Sequence, residues 1–567
     1  MGHRVVDHIV EYLAAIGAEF VFGVDGANIE DLYDAAFLRS DITAVLAKHE
    51  FSAAAMADGY SRSGCGLGVV AATSGGGCLN TVPALGEAFA SRVPLLVLIG
   101  QAPTGLDGRG AFQDTSGRNG ALDATALFST VSVHCRRVLT AADIVTALPA
   151  AIAAAHTMRG PSVLLLPKDV QQGSVPVNGG VVADERVAMR SAAVHPITRA
   201  LHRAAGPVTI IAGDQVARDD ARAELEALRA MVRARVATVP EAKDVAGTPG
   251  SGSSSALGVT GVMGHPSVAA TVADSALCLL VGTRMAVTAR AGLDDALATV
   301  PVYSIGSAPP YLACTHVHSD DLRGSLTALT ATLTGPGRPA HVRVPDTVPR
   351  AELRPPPHHG PGIRYRDAMA VLDASLPAGV DIVVDAGNIG AAAIHHLPVR
   401  RHGRFIVALG MGGMGYSFGA AIGMAFGRGR RTVVIAGDGS FFMHGMEIHT
   451  AREYRLPVTF LLFDNHAHAM CVTREQIFYR DRYSYNRFGP SRLGAGLSAM
   501  FPGLPATDVD DVASLSAALG AALATDGPAV VSIECSADEI PPFAAFLDQS
   551  INPPAAKEIS DNVAVHA

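Results

Sequence analysis

Short, unbroken apolar runs of strand length recur from one end of this chain to the other, with longer Ala-rich amphipathic stretches between them. The runs lie at 19–24, 67–73, 94–100, 162–167, 208–213, 276–282, 301–305, 381–385, 405–409, 432–436, 457–463 and 529–534. They do not alternate polar with apolar residues, which is how parallel strands read when both sheet faces are covered. The intervals are long enough for crossover helices, so the pattern predicts an α/β chain of doubly wound parallel-sheet domains. Two stretches interrupt it: 172–193, polar and mixed in Gly and Val, and 335–361, with GPGRP and RPPPHHGPG. Proline on that scale excludes a helix or a central strand. The expected domains are therefore 1–172, 190–335 and 360–540, followed by a tail over 541–567; TPGSGSSS at 248–255 breaks the middle one.

Composition narrows the partners. The chain has 567 residues, 49% hydrophobic and 17% charged, enough to bury several cores. A net charge of −8 and the lack of a Lys/Arg block argue against nucleic acid. No apolar run approaches the roughly 20 residues of a membrane helix, so no membrane partner is expected. The opening MGHRVVDHIVEYL carries Asp7, His8 and Glu11 and does not suit a signal peptide. Seven cysteines without a C-x-x-C pair point to a reduced, cytoplasmic protein. Cys314-x-His316-x-His318 is short of ligands for a metal.

The strongest chemical signal is in the last domain. The run at 432–436 leads directly into Gly437-Asp438-Gly439-Ser440, then a helix-like stretch, then a second run ending at Asn465. Adjacent parallel strands would bring Asp438 and Asn465 to one crevice at their carboxyl ends, where open α/β sheets bind ligands. A carboxylate, an amide oxygen and loop carbonyls after Asn465 form a hard oxygen set for Mg²⁺ or Ca²⁺. A helix starting at Gly439 would turn its N-terminus toward phosphates.

Gly-Asp-Gly followed after some 25 residues by Asn resembles the thiamine diphosphate (ThDP) binding motif. Residues 48–101, KHEFSAAAMADGY through TSGGGC to VPLLVLIGQ, resemble the pyrimidine-binding domain of the same superfamily. The resemblance spans nearly all of 1–540 and is closest to the acetolactate synthase-like group. It implies ThDP and Mg²⁺, with Asp438, Asn465 and the carbonyl of Ala467 on the metal. It also implies Glu50 as the carboxylate that activates the aminopyrimidine, through a strong hydrogen bond in a dry cleft. Met414, in GMGGMGY, takes the place of the apolar wedge under the bent coenzyme. Ser74, Asn388, Gly412, Gly439, Ser440 and Met470 fall along the coenzyme, and Phe112 and Gln113 match a pair on the substrate side.

Departures from the group's pattern concern the substrate. Arg474 stands where that group has an acceptor-selecting Trp, and this chain has no Trp at all; Val133 stands where a Lys is usual. Arg109 and Arg118 are rival anion contacts. No His-His pair follows the second run, and Ala27 replaces the acid or serine of simple decarboxylases. Fewer acids to quench a carbanion favour carboligation. The resemblance thus implies a carboligase that decarboxylates a 2-oxo acid, pyruvate by default, to an enamine and adds it to a second carbonyl. The alternatives are a non-ligating ThDP lyase, acting as a decarboxylase or C–C hydrolase, and a catalytically silent ThDP-fold subunit. A homodimer or homotetramer is implied. Relatives sometimes hold FAD in the central domain, and GDQV and GTRM align with parts of that site.

Overall fold

The computed structural model describes residues 3–175, 193–246, 256–333, 350–399 and 402–551. It contains three six-stranded sheets in which every strand pair is parallel. The first comprises β1 (Phe20–Val24), β2 (Thr43–Leu46), β3 (Gly68–Ala72), β4 (Leu95–Gln101), β5 (His134–Arg137) and β6 (Pro161–Pro167), in the order β2-β1-β3-β4-β6-β5. The second comprises β7 (Val208–Ala212), β8 (Arg235–Thr238), β9 (Ala256–Val259), β10 (Leu277–Val281), β11 (Val302–Gly306) and β12 (Thr315–His318), ordered β12-β11-β10-β7-β8-β9. The third comprises β13 (Asp381–Val384), β14 (Phe405–Val407), β15 (Thr432–Gly437), β16 (Val458–Asp464), β17 (Ala506–Val509) and β18 (Ala529–Glu534), ordered β14-β13-β15-β16-β18-β17. The architecture is α/β with three doubly wound parallel-sheet domains. Inner strands such as β4 and β16 are buried at every residue, as their unbroken apolar runs require. Of the interruptions expected from sequence, 248–255 and most of 172–193 and 335–361 lie outside the described residues; 350–361 is irregular chain.

The helices used below are α1 (Glu50–Arg62), α2 (Gly76–Ala90), α3 (Ile144–Met158), α4 (Asn388–His396), α5 (Tyr416–Arg428), α6 (Asp438–His444), α7 (Ile448–Glu453), α8 (Ala469–Tyr479) and α9 (Ala544–Ile551). Three differences from the sequence reading stand out. The stretch after Asp438 is not one crossover helix: a 3₁₀ turn at Gly445–Glu447 separates α6 from α7. The expected tail contains α9. One stretch, Ala141–Met158, is long and apolar enough to cross a membrane, contrary to the expectation of none. Its helix α3 buries Ile144, Ala147, Leu148, Ala151 and Ala155 in the first domain's core.

The first and third domains meet along α1 and α5, whose backbones touch. A Cβ added at Gly59 would stand 2.2 Å from the Ala420 carbonyl oxygen; at Gly419, 2.5 Å from that of Ser52; at Gly423, 1.9 Å from that of Met56. No side chain fits at these points. Beside this seam Arg62 pairs with Asp58 at 2.8 Å and Glu87 at 3.5 Å, and the Tyr416 hydroxyl donates to Asp58. Arg404, 2% exposed, ties in the central domain: it reaches Asp214 at 3.1 Å, Asp244 at 2.7 Å and the Arg62 carbonyl at 3.0 Å. Each of these buried charges is paired, the condition for tolerating it inside a protein.

Candidate active site

Two clusters form at the carboxyl ends of the first and third sheets, the position where such sheets bind ligands. In the first domain Glu50 opens α1, and its Oε2 accepts a hydrogen bond from Asn80 Nδ2 at 2.9 Å. Gly77 lies so close that a Cβ there would be 3.2 Å from Glu50 Oε1 and 2.7 Å from the Thr73 methyl. Next to them Gln113, at φ 59°, turns its Oε1 toward Thr73 Oγ1 (3.3 Å), Ser74 Oγ (3.4 Å) and Asn28 Nδ2 (3.5 Å). Asn28 also donates to Ser74 Oγ at 2.6 Å. The structure therefore brings Glu50, Ser74 and Gln113 together, and adds Asn28, Thr73 and Asn80. The expected dry setting is not complete within one chain: Glu50 is half-buried, and Phe112 is 77% exposed.

In the third domain β15 and β16 are neighbours, with Gly437 opposite Phe463. Asp438 starts α6 directly after β15, and Asn465 directly follows β16. Both are buried. Asp438 Oδ2 accepts from the Ala467 amide at 3.1 Å, while Asp438 Oδ1 and Asn465 Oδ1 have no hydrogen-bond partner among the described residues. Two buried oxygens without donors are costly alone and suited to a hard cation. Burial, then the neighbouring Asp464, pushes the Asp438 carboxyl above the ordinary carboxylate range. Asp438, Asp464 and His466 offer ligand atoms within 4.8 Å of one another. The only other such group among the described residues is Glu352, His395 and His396; there His395 Nε2 accepts the Leu353 amide and Nδ1 faces the Met263 carbonyl. Cys314, His316 and His318 form no such group: His316 pairs with Ser304 and His318 with Asp320.

Asp385, at the end of β13, organises the glycine loops. It accepts from the amides of Gly415 (3.0 Å) and Ser417 (3.0 Å) and from the hydroxyls of Ser417 and Ser440, both 2.7 Å. The Ser440 hydroxyl is thus already a donor to Asp385. Asn388, at the start of α4, donates to Thr473 Oγ1 at 3.1 Å and keeps a buried, unpartnered Oδ1. Gly439 lies between Met414 and His468: a Cβ there would be 3.2 Å from the Met414 methyl and 2.5 Å from His468 Nδ1. Gly412 adopts φ +66°, a conformation natural to glycine. Met470 is half-buried on the first turn of α8.

The loop carrying Met414 is gripped from the first domain. Glu87, on α2, accepts from the amides of Gly410 (3.3 Å), Met411 (2.6 Å) and Gly412 (3.4 Å). Burial raises its carboxyl, but Arg62 and these amides outweigh burial and leave it below the ordinary range. Nothing in the sequence singles out Glu87, Asp385 or Asn28, although Asp385 lies three residues before Asn388. Among the residues expected on the substrate side, Arg474 is exposed on α8 and makes no ion pair among the described residues; Cys471 Sγ lies 3.9 Å from its NH1. Arg118 leans toward Asp107 (3.8 Å), and Arg109 donates to the Gly105 carbonyl (3.4 Å). Val133 packs against Gly160.

The segments GDQV and GTRM do meet. Asp214, Gln215, Thr283 and Arg284 line a cavity of about 290 Å³ at the junction of the three domains, with Arg92 and Arg218. Ligand pockets span roughly 300–1,000 Å³. The cavity lies at the foot of that range, and Arg62, Arg92, Arg218 and Arg284 give its lining four guanidinium groups.

Comparison with known proteins identifies the domains. Residues 3–121, 194–305 and 385–533 match the N-terminal TPP binding, central and C-terminal TPP binding domains of thiamine pyrophosphate enzymes. A probable acetolactate synthase large subunit of Methanocaldococcus jannaschii is 28% identical over 509 residues, covering 85% of this chain and 84% of that one. The acetolactate synthase isozyme 2 large subunit of Escherichia coli is 27% identical, covering 94% of this chain and 95% of its own. In fold, the chain resembles benzoylformate decarboxylase of Polynucleobacter necessarius, with a TM-score of 0.78, 19% identity and coverage of 95% and 100%.

Proposed function

Because this chain belongs to the thiamine pyrophosphate enzyme family, with its N-terminal, central and C-terminal domains in order, we propose that it is a Mg²⁺-dependent carboligase acting on a 2-oxo acid. The donor is pyruvate by default, and the acceptor is a second carbonyl compound. One observation carries the reading: the unpartnered, buried Asp438 Oδ1 and Asn465 Oδ1 at the ends of two adjacent strands. These oxygens, with the Ala467 carbonyl, would hold the cation, and Ser440, Asn388 and the Gly439 backbone would line the diphosphate. When bound, ThDP supplies the electron sink that lets the 2-oxo acid lose carbon dioxide.

The chain's own groups do the rest. Glu50 would accept a hydrogen bond at the pyrimidine end, with Asn80 fixing its carboxylate. Met414 supplies an apolar support that adapts to an irregular gap. Gln113 and Phe112 face the substrate side. Arg474, a cation without a carboxylate partner among the described residues, would take a substrate carboxylate; a charged hydrogen bond of about 1.5–3 kcal/mol predicts at least a tenfold rise in KM for the 2-oxo acid in Arg474→Ala, with kcat much less changed.

Product analysis tests the assignment. The enzyme is incubated with ThDP, Mg²⁺ and pyruvate, alone and with other carbonyl acceptors, and products are identified by mass spectrometry. Acetolactate or acetoin supports carboligation. Acetaldehyde alone replaces it with the non-ligating lyase, and no turnover of any 2-oxo acid with bound ThDP replaces it with a silent subunit. The family's homo-oligomeric habit is proposed here as well. Phe112, Met411, Phe442 and Met443 are each at least half exposed beside the two clusters, a patch that asks for cover. Light scattering is expected to give a dimer or tetramer; a monomer at micromolar concentration that still turns over would remove this proposal.

A further inference from the structure

Glu447 sits in the 3₁₀ turn after α6 and is 1% exposed. Its Oε1 accepts the amides of Lys48 (2.8 Å) and His49 (3.0 Å), and its Oε2 accepts the Thr450 hydroxyl (2.8 Å). Those two amides immediately precede Glu50, the first residue of α1. A helix start leaves amide groups without intrahelical partners, and here a carboxylate from another domain satisfies the approach to it. The same segment holds the rest of the turn. His444, the last residue of α6, stacks on Phe51 with centroids 4.2 Å apart, Lys48 Nζ reaches Glu453 at 3.2 Å, and the Leu46 amide reaches the Tyr454 hydroxyl at 3.4 Å. His49 Nδ1 accepts the Phe51 amide at 3.1 Å, completing the turn from within. Glu447 follows Asp438 by nine residues (447 − 438), through a helix whose first turn is buried.

From this arrangement we propose that Glu447 is a positioning residue for Glu50. It locks the backbone before α1 and so fixes where that helix presents its first carboxylate. The inference rests on Glu50 activating ThDP, as proposed above. A bystander that merely stabilises the fold would bind the same amides, so the test reads Glu50's task and its backbone directly. A displacement of about 1 Å at a catalytic group costs about a hundredfold in rate.

The experiment uses the full-length enzyme with Glu447→Ala, Glu447→Gln, Glu50→Gln and the double variant Glu50→Gln/Glu447→Ala. Hydrogen exchange of the peptide covering residues 46–52 is measured without coenzyme, and exchange of the ThDP C2 proton for deuterium is measured with it. In Glu447→Ala, backbone exchange is expected to rise at least tenfold and C2 exchange to fall about a hundredfold, with ThDP affinity by calorimetry within about threefold. Glu447→Gln, which keeps an acceptor for both amides, should recover most of the C2 exchange. The double variant should be no slower than Glu50→Gln alone. A folded Glu447→Ala enzyme with unchanged exchange at 46–52 and C2 exchange within twofold of the parent overturns the assignment, as does full additivity with Glu50→Gln. Normal C2 exchange in Glu50→Gln would instead remove the reading of Glu50, and this inference with it. If Glu447→Ala does not fold, Thr450→Val frees the other oxygen of Glu447; it should slow C2 exchange severalfold, and no effect overturns the proposal.

Discussion

Replacing Glu50 by Gln is expected to slow turnover by about two to four orders of magnitude, the range that general acid–base groups contribute. The change is nearly isosteric, and the amide oxygen can still accept from Asn80. What it removes is the negative charge. A hydrogen bond to an ionised acceptor is roughly twice as strong as a neutral one, and Glu50 is the only carboxylate in the cluster formed with Asn28, Thr73, Ser74, Asn80 and Gln113. The cation and diphosphate end is untouched, so ThDP affinity should stay within a few fold. Steady-state kinetics beside calorimetry separates the two effects. A variant that turns over like the parent would show that Glu50 does not activate the coenzyme.

The second large effect is at Asp438. Asp438→Ala is expected to abolish Mg²⁺-dependent ThDP binding, and with it the thermal stabilisation that a ligand at a hundred times its Kd brings, about 2.7 kcal/mol. The metal-free protein carries a further signature. Burial and then Asp464 raise the Asp438 carboxyl, so the folded state holds a proton that the unfolded chain has already released. Stability is then greatest below the ordinary carboxylate range and is lost as pH climbs through it to the raised value. Metal-free protein should therefore melt at lower temperature as pH rises from 5 to 8. Saturating Mg²⁺ and ThDP should lessen that slope by replacing the proton with a cation, and Asp438→Asn should lessen it without ligand. Thermal melts over this pH range check both. An Asp438→Ala protein with the parent's ThDP-induced shift would disprove the placement of the cation.

How much of this was legible in the sequence depends on whether a feature is local. Inner strands such as β3, β4, β10, β15 and β16 show themselves as unbroken apolar runs, because both faces are covered. Strands β2, β5, β9 and β17 were not expected. They are four-residue edge strands, and three of them are exposed in part; β8, also unexpected, lies next to the edge strand β9. An edge strand needs no continuous apolar run, so its pattern is weak. At the site, Asp438 and Asn465 stand at the ends of the adjacent strands β15 and β16, as the spacing of their motif suggests, and Gly439 faces Met414, which only the resemblance names. Glu87, Asp385 and Glu447 were missed for a different reason. Glu87 grips Met411 across 324 residues of sequence, and Glu447 grips Lys48 across 399. A lone acid on an amphipathic helix carries no mark of such a partner.

The glycine contacts between α1 and α5 have a consequence for how this molecule can diversify. Gly59, Gly419 and Gly423 each meet a carbonyl oxygen of the facing helix, so even one added methyl would wedge the two halves apart and shift Glu50 relative to its counterparts. The joint is therefore closed to gradual change. New selectivity has to arise at the periphery, in exposed positions such as Phe112 and Arg474, where a side chain can be exchanged without disturbing the frame that holds the coenzyme.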